Sequence, residues 1–380
     1  MARIPKIWYR KERKTWCVTI RGTRHNLGAD KKEAVDRFHQ LMGKPDHKPA
    51  KSMSFVEVAD AFLDWLKSHR ADGTFDFYHY RVERFCQRHP NLQLADIRPF
   101  HCQQWVDSYP DLARTTRRNY LRSIRRCVNW AHRQGFIAHD PLKDLEMPAG
   151  ERREVCITKE QFGAMLKLMS DEWFRKLCIV AFETGCRPQE IRRVEARHFD
   201  AVHSRWVFPV KESKGKRQPR IVYLTPKAEE ITKELILQYP EGPLFRNGRC
   251  RCLSQANIDA AFLRLQREMA TQVMLKEGTT LQSAVKEELK RRGDTRTWKE
   301  LSDSVRKTLS LCVSAQFAPK YCLYVLRHSF ATAALQSGLD GLTVGVLLGH
   351  NDPSMLARVY MHLSHNPEHL LGQVRKTIQK

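Results

Sequence analysis

Four short segments beyond residue 180 bring together residue types that act on anionic groups. They are Thr184–Ile191 (T-G-C-R-P-Q-E-I), Lys214–Lys216 (K-G-K), Tyr324–Thr332 (Y-V-L-R-H-S-F-A-T) and Leu347–His350 (L-L-G-H), with Tyr360 ten residues after the last segment. Arginine stays ionised, and its planar guanidinium can donate two parallel hydrogen bonds to a phosphate. Histidine and lysine transfer protons, and a tyrosine hydroxyl can act as a nucleophile. The combination predicts chemistry on a phosphate-like group.

The overall charge of the chain indicates a polyanionic partner. Among 380 residues, 66 Lys and Arg face 42 Asp and Glu, which gives a net charge of +24 and a pI near 9.8. An extended polyanion such as nucleic acid suits this balance. The sequence has no apolar run of about 18 residues and no signal-peptide core near Met1, so no membrane partner is expected. We therefore expect a soluble, intracellular protein, with nucleic acid as the leading candidate for its partner.

Taken together, the four segments and Tyr360 resemble the tyrosine recombinases, the family of phage integrases and Xer-type chromosome resolvases. That family has an Arg in a T-G-x-R-x-x-E segment, a Lys in a β-hairpin, an H-x-L-R-H-x-F-A-T segment, an L-G-H segment and a tyrosine shortly after it. All five occur here in the family's order, over residues 155–365. L-G-H alone is commonplace, but the ordered set is specific.

The resemblance implies strand cleavage by a type IB mechanism, in which the phosphorus passes through a five-coordinate state. Negative charge grows on the phosphate in that state, so preorganised cations are needed around its oxygens. Arg187 and Arg327 fit this role. Glu190, one helical turn after Arg187, is expected to hydrogen-bond to these cations and orient them.

The same resemblance assigns the proton transfers and the covalent step. Tyr360 matches the nucleophile, which forms a 3′-phosphotyrosine that stores the bond energy for rejoining. His350 is the candidate to orient the phosphate or to accept the tyrosine proton. Lys214 is the first candidate to protonate the leaving 5′-oxygen, and Lys216 is the alternative.

Two features depart from the family pattern. Tyr324 stands where the family usually has histidine, and a phenol can donate a hydrogen bond but is not a cation near neutral pH. We expect lowered rather than abolished activity from this exchange. A charged, helix-prone stretch at 265–316 is longer than the usual connection; it is either an extra helical pair for DNA or partner contact or an insertion without such a role.

The chain is predicted to be mainly α with small β-sheets, an α+β organisation in three parts. Residues 1–48 form a three-stranded sheet followed by a helix and resemble an arm-type DNA-binding module. Residues 54–148 resemble a helical, SAM-like core-binding domain, and residues 154–380 a catalytic domain like that of tyrosine recombinases and type IB topoisomerases. Capping-box patterns at Ser54 with Glu57 and at Thr158 with Gln161 mark helix starts in the last two parts.

A predicted helix in the middle part carries six arginines without an acidic residue among them. Its apolar residues recur at helical spacing, so one face packs against the protein and the arginines lie on the adjoining face. Without acidic neighbours on the helix, these arginines cannot form the usual i,i+4 ion pairs. We therefore expect them to contact DNA. They are Arg114, Arg117, Arg118, Arg122, Arg125 and Arg126.

No cofactor or metal is expected. The eleven cysteines lack the paired spacing of a zinc site or disulfide framework, and arginines take the place of a catalytic cation. Because recombination exchanges four strands and each nucleophile cuts once, the resemblance implies a homotetramer on paired sites of double-stranded DNA. It also implies a cytoplasmic, nucleoid-associated protein. It leaves room for accessory DNA-bending or directionality factors. The apolar tail helix after Tyr360 packs either on its own domain or on a neighbouring protomer.

Two other functions compete with recombination. A type IB topoisomerase uses the same chemistry to relax supercoils, and a non-catalytic DNA-binding regulator would keep only the fold. The arm-like module disfavours the first. The presence of Tyr360 disfavours the second, because DNA binding alone requires no tyrosine at that position.

We predict that Tyr360→Phe abolishes strand cleavage and leaves DNA affinity nearly unchanged, because the substitution removes one hydroxyl and no charge. The measurement is a denaturing gel that detects protein covalently joined to nicked DNA. A 3′-phosphoprotein that persists in this variant contradicts the assignment and moves attention to Tyr321 and Tyr324.

Overall fold

The structure, a computed structural model, describes residues 7–10, 14–20, 23–41, 53–150, 155–213 and 218–350. Its internal contacts divide the chain into two units, Met1–Arg153 and Glu154–Lys380. The chain is mainly helical with two three-stranded sheets in the described parts, as predicted. The finer division into three domains stays a prediction.

The first unit begins with an antiparallel sheet that carries one helix. The strands β1 (Trp8–Arg10), β2 (Thr15–Ile20) and β3 (Thr23–Gly28) lie in that order, followed by α1 (Lys31–Leu41). Val18, Leu27 and Ala34 form a small buried core between sheet and helix. Asp30 starts α1 by accepting hydrogen bonds from the backbone N–H groups of Lys32 and Glu33.

Among its other described residues this unit has four α-helices: α2 (Phe55–His69), α3 (Asp72–Arg88), α4 (Pro99–Asp107) and α5 (Arg114–Arg133). The predicted capping box starts α2, because Ser54 Oγ accepts from the Glu57 N–H at 3.2 Å and Glu57 Oε2 accepts from the Ser54 N–H at 2.7 Å. Aromatic and branched side chains fill the core between the helices. Its fully buried members include Phe55, Phe62, Phe85, Trp105, Leu121 and Ile124.

The second unit places a small sheet among helices. The helices are α6 (Lys159–Lys167), α7 (Glu172–Thr184), α8 (Pro188–Arg193), α9 (Pro226–Gln238), α10 (Gln255–Lys276), α11 (Leu281–Arg291), α12 (Asp303–Phe317), α13 (Leu323–Gln336) and α14 (Gly341–Leu348). The antiparallel strands are β4 (Phe199–Asp200), β5 (Arg205–Phe208) and β6 (Arg220–Tyr223). Trp206 and Val222 face each other across β5 and β6 and are fully buried.

The predicted insertion at 265–316 differs from a helical pair. Residue 265 lies inside the continuous helix α10, whose first half packs on the main core through Ile258 and Phe262. Its second half joins α11 and α12 around a separate core. The stretch therefore forms a three-helix extension that shares one helix with the main core, because the helical apolar period runs across residue 265 without a break. Members of the separate core include Ala270, Met274, Val285, Leu289, Leu309 and Val313.

Candidate active site

A left-handed glycine turn after α7 places the first predicted arginine. Gly185 ends the helix at φ +59°, a conformation that favours glycine. A Cβ there would lie 2.4 Å from Phe330 Cδ1, so space also requires glycine. The turn leaves Arg187 at the N-cap of α8, and Pro188 occupies the first position of that helix.

Arg327, on α13, lies at the centre of the site with only 5% of its surface exposed. Its Nη1 donates to the Gly185 carbonyl at 2.6 Å, and its Nη2 donates to the Leu348 carbonyl at 2.7 Å. The guanidinium thereby joins the glycine turn to the end of α14. Burial, together with the charge of Arg187, lowers the pKa of Arg327 to about 10, which leaves it charged at neutral pH.

Arg187 is held by Glu190 and by the same end of α14. Arg187 Nη1 donates to Glu190 Oε1 at 2.7 Å, the Arg187 N–H donates to Glu190 Oε2 at 2.8 Å, and Nη2 donates to the Gly349 carbonyl. Burial alone would raise the pKa of Glu190, but Arg220 and Arg187 outweigh it, so that pKa is lowered. Glu190 is thus a carboxylate that orients Arg187.

The L-G-H segment forms the C-terminal cap of α14. Gly349 adopts φ +66° and ends the helix, and the carbonyls of Leu348 and Gly349 accept hydrogen bonds from Arg327 and Arg187. A helix C-terminus carries partial negative charge on these carbonyls, so it attracts the two cations. The cap therefore draws together two arginines that are far apart in the sequence.

His350 follows the cap and is neutral at physiological pH. Burial, with the charges of Arg327 and Arg187, lowers its pKa to about 4. Its Nε2 lies 3.1 Å from Arg327 Nη2. Because a guanidinium only donates, Nε2 must accept, which leaves the ring proton on Nδ1. Nδ1 is buried and has no hydrogen-bond partner within the described residues.

Four further predicted site residues are the two lysines and the two tyrosines. Lys214, Lys216 and Tyr360 lie outside the described residues. Ser213 and Gln218 are the described residues on either side of 214–217, and the Ser213 hydroxyl donates to the Gln218 carbonyl at 2.7 Å. Tyr324 lies in the first turn of α13, three residues before Arg327, and 52% of it is exposed.

Arg220 adjoins the candidate site, and the motifs did not predict it. It begins β6, is 6% exposed and donates from Nε to Glu190 Oε1 at 3.1 Å. The strand pattern held a usable signal, because Arg220 and Val222 point to the same, buried face. An arginine on the inward face of a strand requires an anionic partner, which the sequence alone does not identify.

The arginines of α5 are more engaged within the protein than the sequence indicates. Arg117 pairs with Asp107 of α4, and Arg118 Nη1 donates to the Pro148 carbonyl at 2.8 Å. Arg125 Nη2 donates to the Lys143 carbonyl at 2.8 Å. The helix itself offers no i,i+4 acidic partner, but α4 supplies one to Arg117 from outside the helix. Arg114 and Arg122 are exposed, and Arg126 is half-buried.

A second cluster of arginines, interleaved with aromatic rings, adjoins Arg122 and was also missed. Arg81 lies 4.1 Å from the centre of the Phe77 ring, and Arg122 lies 5.1 Å from the same ring centre. Arg84 lies 4.5 Å from the centre of the Tyr80 ring. The signal was the helical spacing of Phe77 with Arg81 and of Tyr80 with Arg84 along α3. We call Phe77, Tyr80, Arg81, Arg84 and Arg122 the arginine–aromatic cluster.

The parts of the chain that the structure describes contain no group of three His, Cys, Asp or Glu side chains placed to hold a metal ion. All eleven cysteines are free thiols. Within the described residues, no helix is both long and apolar enough to span a membrane.

Comparison with known proteins gives concordant matches. Residues 156–366 match the sequence model of the family described as "Phage integrase family". The chain is 20% identical over 359 residues to a "Tyrosine recombinase XerC-like" protein of Caldanaerobacter subterraneus subsp. tengcongensis, covering 88% of this chain and 87% of that protein.

Two solved structures share the fold. The structure of a lambda integrase tetramer bound to a Holliday junction has a TM-score of 0.59 at 15% identity, covering 93% of this chain and 94% of that one. The Tn1549 transposon integrase in complex with a circular intermediate DNA has a TM-score of 0.58 at 13% identity, covering 86% of this chain and all 100% of that one. At these identities the likeness concerns the fold alone.

We predict that His350 stays neutral through the range in which an ordinary histidine titrates. In NMR titrations its Cε1–H resonance should report a pKa of about 4 instead of the usual 6.5. Because the unfolded chain binds a proton near pH 6.5 and the folded chain only near pH 4, this group lowers the free energy of unfolding as the pH falls between those values.

The variant His350→Gln assigns the resonance and should remove that part of the pH dependence of stability. A measured pKa at or above the ordinary value would contradict the buried, arginine-facing environment.

Proposed function

The chain belongs to the phage integrase family and is a site-specific DNA recombinase that cleaves and rejoins DNA, and we propose that it integrates and excises a mobile element. The observation that carries the chemical proposal is that half-buried Arg187 and buried Arg327 both donate to the cap of α14. Such a fixed pair of cations suits a phosphate whose charge grows during reaction.

We propose that Arg187 and Arg327 bind the non-bridging oxygens of the scissile phosphate. The Tyr360 hydroxyl attacks phosphorus; the P–O bond to tyrosine forms as the P–O bond to the 5′-oxygen breaks. Lys214, or Lys216 in its place, protonates that leaving oxygen. Rejoining reverses these steps, so no external energy source or metal is required.

For His350 the geometry favours donating a hydrogen bond to the phosphate over accepting the proton of the tyrosine. Its Nε2 already accepts from Arg327, and its lowered pKa makes it a weak base. The proton inferred on Nδ1 is available to a phosphate oxygen. We therefore propose that His350 orients the phosphate, and that the positive charge of the site promotes loss of the tyrosine proton to solvent.

The proposal of a mobile element rests on the amino-terminal part of the chain. The small sheet and helix α1 precede the helical part, which suits an arm module that reads a second class of DNA site. The lambda integrase and the Tn1549 transposon integrase share the fold over most of this chain. Resolution of chromosome dimers, suggested by the XerC-like relative, is the second candidate.

On the first unit, we propose that the exposed arginines of α5 and the arginine–aromatic cluster contact the DNA backbone. Stacking on Phe77 and Tyr80 fixes guanidinium groups before DNA arrives, which reduces the side-chain entropy lost on binding. Four nucleophiles must assemble to exchange four strands, so the proposed active form is a homotetramer on two duplexes. The solved lambda integrase tetramer provides a precedent.

We predict that the DNA surrounding the gene carries direct repeats at the ends of an element, and that the protein joins them. Outward-facing primers on a plasmid bearing this DNA should amplify a circular junction with one repeat copy, with Tyr360→Phe as the inactive control. If the protein instead resolves only two copies of a chromosomal site and forms no junction, dimer resolution is the function. Relaxation of any supercoiled plasmid without joining would indicate a topoisomerase.

We also predict that replacing Arg118 and Arg122 by Ala weakens DNA binding. The slope of log K against log salt should become shallower by roughly 0.9 for each lost phosphate contact. The matched control is Arg296→Ala, since Arg296 is exposed but already paired with Asp294 at 2.7 Å. An unchanged slope in the double variant would assign these arginines a role within the protein instead.

A further inference from the structure

The position of Arg220 is unusual for a charged residue. It begins β6 opposite Phe208 of β5, with its guanidinium against Glu190 and the α14 cap. A Cβ on Gly349 would lie 2.8 Å from Arg220 Nη1, so this guanidinium packs directly on the glycine of the L-G-H segment. The Gly349 carbonyl beside it accepts from Arg187. Arg220 thus supports the same turn that Arg187 and Arg327 hold.

Positive charge exceeds negative charge in this buried region. Arg187, Arg220 and Arg327 surround Glu190, the carboxylate that hydrogen-bonds to Arg187 and Arg220. His350 adds no charge, because its pKa is lowered to about 4. Burying a cation costs free energy that an ion pair offsets only in part. Three guanidinium groups around one carboxylate leave an excess of positive charge that a further anion would neutralise.

The hydrogen bonding of Arg220 is incomplete. Its Nε donates to Glu190 and its Nη1 to the Ile221 carbonyl at 2.5 Å, but Nη2 is buried without a partner within the described residues. An apolar side chain of similar length would fill the space without this cost. A role in packing alone therefore leaves the charge at this position unexplained.

We propose that Arg220 is a third arginine of the phosphate site, a positioning residue that steadies Arg187 through Glu190 and the Gly349 turn and adds positive charge behind the scissile phosphate. The inference rests on the proposed roles of Arg187 and Arg327, and not on whether the DNA belongs to a mobile element. Its charge, and not only its shape, is what the reaction needs.

The test compares two DNA substrates that differ only in the charge of the scissile group. Duplexes that the wild-type protein cleaves are first recovered from a randomised library by covalent capture. One substrate keeps the scissile phosphodiester, and the other carries a methylphosphonate, in which a methyl group replaces one non-bridging oxygen and leaves the group uncharged. Single-turnover cleavage, DNA affinity and thermal unfolding are measured for each variant.

We expect Arg220→Met to cleave the phosphodiester about 100-fold more slowly than the wild type, with DNA affinity nearly unchanged. On the methylphosphonate the deficit should shrink by about tenfold or more, because less charge needs to be stabilised. Arg220→Lys keeps the charge and should be clearly faster than Arg220→Met on the phosphodiester. Arg220→Gln, whose amide can still donate to Glu190, provides the neutral comparison if Arg220→Met does not fold.

Two controls separate the possible failures. Arg205→Met removes an arginine of the neighbouring strand that pairs with Asp200, and it should leave cleavage unchanged. Arg187→Met should be rescued by the methylphosphonate; without that rescue, the proposed phosphate site itself is wrong. If Arg187→Met is rescued but the neutral Arg220 variants are slowed equally on both substrates, the role of Arg220 alone is wrong. The same holds if the neutral Arg220 variants are not slowed at all.

Discussion

The architecture of the site depends on the hydrogen bonds that Arg327 donates to two backbone carbonyls. One joins α13 to the Gly185 turn, 142 residues away, and the other joins it to the end of α14. A buried guanidinium with fixed backbone acceptors leaves little freedom to the segments that it connects. The glycine turn in turn places Arg187, and the α14 cap places His350. Loss of this one side chain would therefore release all three motifs.

This arrangement concentrates like charges, which favours substrate binding at the expense of stability. The partial negative charge at the end of α14 and the carboxylate of Glu190 offset the repulsion between Arg187, Arg220 and Arg327 only in part. Burial, together with the positive charge of these arginines, lowers the pKa of His350 and holds it neutral. A bound phosphate would complete the compensation, so we expect DNA to stabilise the catalytic unit. The arginines are thus held in place before any anion binds, as the proposed phosphate site requires.

Arginine also dominates the first unit, but there the contacts are of a different kind. The guanidinium groups of Arg81 and Arg84 lie on aromatic rings, and Arg118 and Arg125 donate to backbone carbonyls. These contacts hold the side chains in place while leaving donors free for other acceptors, since a guanidinium has five N–H groups. In both units, then, the protein itself restrains the cations that we propose to meet DNA.

The sequence by itself determined the features that depend on neighbouring residues. The capping boxes at Ser54 and Thr158 form as predicted, because their hydrogen bonds join residues three apart. The T-G-C-R and L-G-H segments placed Arg187 and His350 for the same reason: each turn is set within a few residues. Because the motifs follow the order found in the family, the sequence also predicted that they lie together in one site.

Only the tertiary structure decided the charge environment of the site. Arg220 meets Glu190 across 30 residues, and Arg117 meets Asp107 from another helix, so no local spacing encodes either pair. The continuity of α10 through the predicted insertion depends on two cores that share one helix. The lowered pKa of His350 likewise arises from burial beside arginines of other elements. Burial and charge are properties of what packs together, and residues distant in sequence determine them.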